Sequence, residues 1–313
     1  MDLTIIIPNY NNSNLLKELL ESIQKIINVK YHIIIVDNGS TDNSIQTIQK
    51  YPNINLIKNK ENKGFAYAVN QAIKETKTDY VLLLNNDVVI KEDTAEILLK
   101  TIKEDPNIFA VSSKIIQYHN RNLLDDAGDE YNLLGWSKRT GYNQNIEKYN
   151  TFREIFSACA AASIYNKNIL CQIGLFDEKF FAYVEDMDVC FRAKINGYKC
   201  LYNPNAIAYH HGSATTKSRY NPFKVKISAR NNIYLIYKNM PYWMIIINII
   251  FIILGIIIKL IFFTTKKQQK YYIAGIKEGL KTLHTIKRNT NGKLKNYISI
   301  ECQMIKNTFT YVL

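Results

Sequence analysis

Residues 3–42 read LTIIIPNYNNSNLLKELLESIQKIINVKYHIIIVDNGSTD, and this stretch decides the fold. Leu3 to Ile7 is a short unbroken apolar run, which suits a strand buried on both faces. From Ser13 to Ile27 the apolar residues Leu16, Leu19, Leu20, Ile23 and Ile27 recur at helical spacing. Ile33 to Val36 is a second apolar run, closed by the polar turn Asp37 to Asp42, in which Asp42 suits a helix N-cap. Strand, helix and strand in such quick succession mark an α/β fold, a parallel sheet wrapped by helices.

The alternation continues outward from there. A helix is expected near Asp42 to Gln49, a third strand at Asn55 to Ile57, a helix at Ala66 to Glu75, and a fourth strand at Tyr80 to Leu84 that runs into Asn85, Asn86 and Asp87. After a helix at Thr94 to Lys103 the pattern loosens between Gln117 and Phe152, where Gly128, Gly135 and Gly141 break any period, so loops or a small antiparallel insertion are expected. Regularity returns with an apolar segment from Ile155 to Tyr165, a helix from Glu185 to Asn196 and a strand at Ala206 to Tyr209. With 313 residues and 47% hydrophobic content, the chain supports one core of about 200 residues and leaves about 100 for attachments.

Those attachments begin where the charges stop. Met240 to Ile258 carries no charged residue, and the apolar run resumes after Lys259 as far as Phe263, close to the ~20 residues that cross a bilayer. Tyr242 and Trp243 stand at one end, where interfacial aromatics belong. Basic residues flank both ends, so the positive-inside rule chooses no orientation; a single span, a re-entrant hairpin bending near Gly255 and an in-plane helix all remain open. The formal net charge is +13, and residues 264–313 alone contribute +8 of it, with ten Lys/Arg against two Asp/Glu. Charge gathered in one tail behind an apolar run points to anionic lipid head groups and not to nucleic acid. The expected organisation is a catalytic domain over 1–220, a helical connector over 221–241, a hydrophobic membrane segment over 242–263 and a basic tail over 264–313. Five cysteines, odd in number and without CxxC spacing, read as reduced thiols of a cytosolic compartment, and Met1 to Tyr10 does not read as a signal peptide.

Ligands of an open α/β sheet bind beyond the carboxyl ends of its strands, and three polar sets lie there. Pro8, Asn9 and Tyr10 end the first strand, Asp37, Asn38 and Gly39 the second, and Asn85, Asn86 and Asp87 the fourth. A carboxylate at Asp37 suits the imino N–H of uracil or thymine, with Asn38, Gly39 and Ser40 near a ribose, so a uridine and a thymidine nucleotide stay equivalent. Asp87 suits a divalent cation that also takes phosphate oxygens. Asp188 has a blander partner in Arg192, four residues on along the same helix face.

These strings resemble the family 2 glycosyltransferases of the GT-A fold, within them the rhamnosyltransferase-like branch, over about Leu3 to Lys238. The resemblance is carried by Ile7-Pro8-Asn9-Tyr10-Asn11, Val36 to Asp42, Asn62-Lys63-Gly64-Phe65-Ala66 and Leu84-Asn85-Asn86-Asp87-Val88. It continues in Gly174 to Glu178, Tyr183-Val184-Glu185-Asp186-Met187-Asp188 and Tyr209-His210-His211-Gly212-Ser213. It implies a Rossmann-like, mixed, mostly parallel sheet flanked by helices, followed by a C-terminal membrane-associated helical segment. It implies further that Asn62 and Gly64 belong to the donor loop, that the metal motif Asp-X-Asp has Asn85 at its first position and Asp87 as its acidic ligand, and that His210 is a late ligand. An imidazole among oxygens favours Mn2+ over Mg2+. His211, by strand alternation, faces away. The second acid of the pair Glu185 and Asp186 is the implied base, and the helix dipole is expected to keep Asp186 ionised. Glu185 is the alternative base or an acceptor ligand. Arg219 and Arg230 are considered for the diphosphate and not assigned to it.

The implied enzyme is an inverting transferase that moves rhamnose or a similar hexose from a UDP- or dTDP-sugar to a hydroxyl of a lipid-linked glycan. It would act at the cytoplasmic face of the membrane. Transfer to a polyprenyl phosphate and an inactive glycan-binding adaptor are the alternatives. A nucleotidyltransferase would want a glycine-rich loop after the first strand, where no glycine precedes Gly39, and no GxGxxG spacing supports a nicotinamide enzyme.

Overall fold

Along the first strand, β1 (Leu3–Asn9), Leu3, Ile5 and Ile7 enter one apolar cluster and Ile6 another, so both faces are covered. The computed structural model describes residues 1–212 and 221–311; Ser213 and Arg219 lie outside the described residues. The first cluster joins β1 to α1 (Ser13–Ile23), α2 (Ser44–Ile48) and, further on, α4 (Thr94–Lys103). The second joins it to α3 (Phe65–Glu75), and later to α5 (Lys167–Ile173) and α6 (Glu185–Ile195). Leu16, Leu19, Leu20 and Ile23 of α1 are all buried, as their spacing predicts.

The first half of the sheet is parallel. β2 (Tyr31–Asp37) and β4 (Tyr80–Leu84) flank β1, and β3 (Ile54–Lys58) lies outside β2. Because the chain leaves β1 in one direction and returns on its other side, a crevice opens at the carboxyl ends of β1, β2 and β4. The second half is mixed. β11 (Ala162–Asn166) runs antiparallel between β4 and β6 (Ile108–Gln117), whereas β12 (Lys199–His210) runs parallel to β6. Short β5 (Val88–Ile90), β7 (Leu124–Asp126) and β10 (Arg153–Ile155) add antiparallel edges. The result is a mixed, mostly parallel sheet flanked by helices.

The small antiparallel insertion expected at 117–152 is present, and the later stretches pack closely on the body. The stretch 117–152 holds β7 and a hairpin of β8 (Asp129–Tyr131) and β9 (Ser137–Arg139), and every residue from Leu124 to Gly135 is buried. The connector is α7 (Pro222–Asn239), a main packing helix with Asn231, Tyr234, Leu235 and Lys238 buried. The apolar run is one unbroken helix, α8 (Tyr242–Thr265), with no bend at Gly255. Gly255 serves close approach: a Cβ there would meet the Leu134 carbonyl oxygen at 2.2 Å, and Trp136 Nε1 donates to the Gly255 carbonyl (3.2 Å). The basic tail folds back as α9 (Gln269–Thr282) and α10 (Leu294–Tyr311), with Tyr297, Ile300 and Met304 in the same cluster as Phe191 of α6.

Candidate active site

The carboxyl ends of the parallel strands open into one cavity of about 1400 Å³. Pro8, Asn9 and Tyr10 line it from β1, Asn38 from β2, and Asn86 and Asp87 from β4. Glu185 and Asp186, at the start of α6, line its other side, together with His210 from the end of β12. Residues a hundred positions apart thus meet because the sheet brings strand ends to one edge.

Beneath the cavity floor runs a chain of side-chain amides. Asn86 Nδ2 donates to Asn9 Oδ1 (2.8 Å) and to the Asn11 carbonyl (2.9 Å), and Asn9 Nδ2 donates to Asp37 Oδ2 (2.9 Å). Asp37 Oδ1 accepts from the Ser40 backbone N–H (3.0 Å). The side chain of Asp37 is therefore committed to the protein, and at 1% exposure it lies below the lining and not on it; Gly39 is off the lining too. Asp37, expected to face a nucleobase, thus stands behind Asn9, which does line the cavity. Asn38, itself buried, does line the cavity: it donates to the Gly64 carbonyl (3.0 Å) and Asn62 Oδ1 (3.2 Å), and Asn62 Oδ1 also accepts from the Gly64 N–H (2.9 Å). Asn62 and Gly64 both line the cavity. Asp42, expected as an N-cap, stands one residue before it: Asn43 is the N-cap of α2, while Asp42 accepts from the N–H of Ser44 and from the N–H of Ser13 at the start of α1.

His210 reaches Asp87 through strand register. It pairs with Val88 of β5, and the His211 N–H donates to the Asp87 carbonyl (3.0 Å). His210 Nε2 lies 3.3 Å from Asp87 Oδ1, and its Nδ1 lies 2.8 Å from Asp125 Oδ2. Asp125 is gripped by the Arg139 guanidinium at 2.9 Å to both oxygens. With Nδ1–H donating to Asp125, Nε2 turns a lone pair towards the Asp87 carboxylate, and two acceptors this close need a cation or a proton between them. Burial by itself lowers the His210 pKa, but the hydrogen bonds and charges of Asp125 and Asp87 outweigh it and push it up to about 10. One imidazole nitrogen and one carboxylate oxygen, oriented from behind, fit a divalent cation. His211 also lines the cavity, but its ring goes to Glu18 (3.1 Å) and to a stack on Tyr118.

The Glu185 and Asp186 pair is presented by a strained turn. Phe181, Tyr183 and Val184 all have positive φ, at 63°, 68° and 72°, which is unfavourable for a β-branched valine. Asn231, fully buried in α7, pins it by donating to the carbonyls of Phe180, Ala182 and Tyr183 (2.8, 2.9 and 2.7 Å). Gly64 fits under it, since a Cβ there would stand 2.5 Å from the Phe181 carbonyl oxygen. The helix dipole does not decide the charge of this pair. Burial pushes the Asp186 pKa up, against backbone N–H groups of Met187 and Ala160 that hold it down. Burial, then the charge of Asp186, holds Glu185 well above the usual carboxylate range, and its Oε2 has no hydrogen-bond partner. Asp188 pairs with Arg192 (3.0 Å) as its spacing predicts, and with Lys238 (2.9 Å). Arg230 is taken by Glu278 (3.1 Å) and does not line the cavity.

One part of the site has residues that the sequence reading left unassigned. Asp125, Asp129, Lys138, Arg139 and Tyr142, all from the aperiodic stretch, line the cavity. Asp126, Asp129 and Cys159 bring ligand atoms within 4.8 Å of one another. Burial pushes Asp126 up to about 7 and the other two well above their ordinary values, which favours the protonated forms of this cluster. The acid-rich run Leu124 to Glu130 was the available signal, but its lack of period hid it.

Known proteins resemble the chain in sequence and in fold. The chain spans about half the length of the curated relatives it matches. It is 27% identical over 213 residues to a poly-beta-1,6-N-acetyl-D-glucosamine synthase of Staphylococcus aureus, covering 66% of this chain and 49% of that one. The corresponding synthase of Staphylococcus epidermidis is 26% identical over 206 residues, covering 64% and 47%. Among solved structures, a mannosyltransferase of Pyrobaculum calidifontis in complex with GDP-Man and Mn2+ superposes with a TM-score of 0.58 at 15% identity, covering 89% of this chain and 86% of that one. Residues 1–349 of Staphylococcus aureus TarS in complex with UDP superpose at 0.53 with 18% identity, covering 96% and 78%. These likenesses show the GT-A fold. The model of glycosyl transferase family 2 matches residues 4–174, more than half of the chain, and the protein belongs to that family.

Proposed function

We propose that the protein is an inverting glycosyltransferase that moves a hexose from a UDP- or dTDP-sugar to a hydroxyl of a lipid-linked glycan in cell-surface polysaccharide synthesis. The observation that carries this reading is that Asp87, His210 and Asp186 line one cavity at the carboxyl ends of β1, β2 and β4. In it, Pro8, Asn9, Tyr10, Asn38, Asn62, Gly64 and Asn86 hold the nucleotide, with Asp37 and Gly39 shaping the floor from below. Asp87 and His210 hold Mn2+ or Mg2+, which when bound offsets the charge of the departing diphosphate. Asp186 accepts the proton of the acceptor hydroxyl while that oxygen bonds to the anomeric carbon and the bond from that carbon to the diphosphate breaks. Glu185, its carboxyl raised by burial and with Oε2 unpartnered, serves the acceptor.

Rhamnose as the sugar rests on the sequence strings, whereas the curated relatives are named for a polymer of N-acetyl-D-glucosamine. The donor screen therefore holds both sugars. Membrane attachment rests on α8, 24 residues long and apolar enough to cross a bilayer. Met244, Asn248, Ile252, Gly255, Lys259 and Phe263 form its inward stripe, in contact with the body along its length. Such a helix lies in the plane of the membrane surface, on the cytoplasmic face, with its outer face in lipid. The test is mass spectrometry of purified protein in detergent against a panel of sugar nucleotides, with and without Mn2+. Metal-dependent hydrolysis or transfer that Asp186→Asn lowers about 10²- to 10⁴-fold is expected; turnover unchanged in that variant removes the assignment.

A further inference from the structure

Lys259 is the one charged residue within α8, and it does not point to lipid. It stands four residues after Gly255 on the inward stripe, its ammonium 5.3 Å from the Trp136 ring, and it lines the same cavity as Asp186. Among the described residues no carboxylate lies within ion-pair distance of it. A partly buried ammonium that faces a cavity without a counter-charge retains most of its desolvation cost, which an anionic ligand would offset. Ser228 and Asn232 of α7 line the cavity beside it and offer further hydrogen bonds.

The surroundings specify what kind of anion. A small crevice of about 70 Å³ between α7, α8 and α9 shares Lys259 and Phe263 with the main cavity, and its other walls include Ile256, Tyr272 and Ile276. A cation thus stands where a polar cavity meets apolar walls, on a helix whose outer face exposes Ile250, Ile253 and Ile257. A molecule that satisfies both sides has a phosphate on a hydrocarbon chain, with its polar end directed towards the base.

We propose that Lys259, with Ser228 and Asn232, forms a subsite for the phosphate or diphosphate of a lipid-linked acceptor, whose hydrocarbon chain leaves past Phe263 towards the exposed face of α8. This rests on the reading of the acceptor as lipid-linked. The ammonium, as a compact charge with three donors, suits a phosphate, and the Trp136 face holds it in place.

The probe is farnesyl diphosphate, titrated calorimetrically into detergent-solubilised full-length protein with chelator present, so that the Asp87 and His210 corner does not compete. Farnesol and inorganic pyrophosphate are titrated beside it. Tighter binding of farnesyl diphosphate than of either is expected. Lys259→Met should weaken it about ten-fold or more, the loss of one charge-assisted hydrogen bond, while Lys259→Arg retains it. Lys259→Gln, which keeps a polar side chain, is the second variant should the first not fold. Unchanged affinity in both neutral variants overturns the proposal. So does equal binding of inorganic pyrophosphate, which would make the ligand a free anion. A fall in partition into phosphatidylglycerol vesicles on Lys259→Met also overturns it, because Lys259 would then serve bulk head groups. Donor hydrolysis in the same preparation reads the enzyme assignment separately: a silent donor with farnesyl diphosphate binding intact sinks that reading and leaves the subsite standing.

Discussion

At the scale of single residues, burial sets the chemistry more than helix position does. Asp186 sits at the start of α6, where the dipole favours its anion, yet burial raises its pKa. A base works ionised, so turnover should fall as pH drops through this raised value, placing the acid limb of the pH profile of kcat above the ordinary carboxylate range. Asp126 gives a stability counterpart. Its folded pKa of about 7 exceeds the ordinary 3.8, so the folded state binds the extra proton. The stabilisation this gives is full below the lower value and is lost as pH rises through the upper one. Asp126→Asn should flatten the decline of Tm over that window, measured by thermal melts of both proteins across pH. Asp125 acts through His210. Asp125→Asn no longer enforces the Nδ1–H tautomer and takes the counter-charge from Arg139, so it should weaken metal affinity about 10- to 100-fold, read by Mn2+ titration below the lowered Tm.

At the scale of elements, the site depends on how α7 supports α6. Three left-handed residues before Glu185 persist because Asn231 donates to the turn's carbonyls from a fully buried position. Asn231→Ala would leave these carbonyls without their partner, and should cost about 1 to 3 kcal/mol in a denaturant titration. It should also lower kcat more than it raises the KM for donor, since the turn aims the base and the nucleotide rests on other loops. The sequence showed α7 only as a helix between two domains; its role depends on carbonyls about fifty residues away. The pairing of Asp188 with Arg192 was legible because both lie on one helix face, within local reach. The position of His210 at Asp87 was legible through resemblance alone, because it is β5 pairing with β12 that creates it.

At the scale of the molecule, the parallel half of the sheet supplies the cleft and the C-terminal helices close its far side. The outer face of α8 leaves Ile250 75% and Ile257 47% exposed. Replacing both with lysine should lower partition into phosphatidylglycerol vesicles at least about ten-fold while leaving Tm nearly unchanged, as neither side chain packs on the body. An unchanged partition would show that this face does not meet lipid. What the sequence by itself determined is the alternation of strands and helices, the polar residues at strand ends and the apolar length of α8. Each follows from a period or a run that neighbouring residues encode on their own. What only the tertiary structure decided is that Asp37 lies under the cavity floor, that residues 124–135 are buried, that the tail is part of the body and that Lys259 faces inward. Burial and charge at a site are sums over neighbours from distant parts of the chain, and no local pattern carries such a sum.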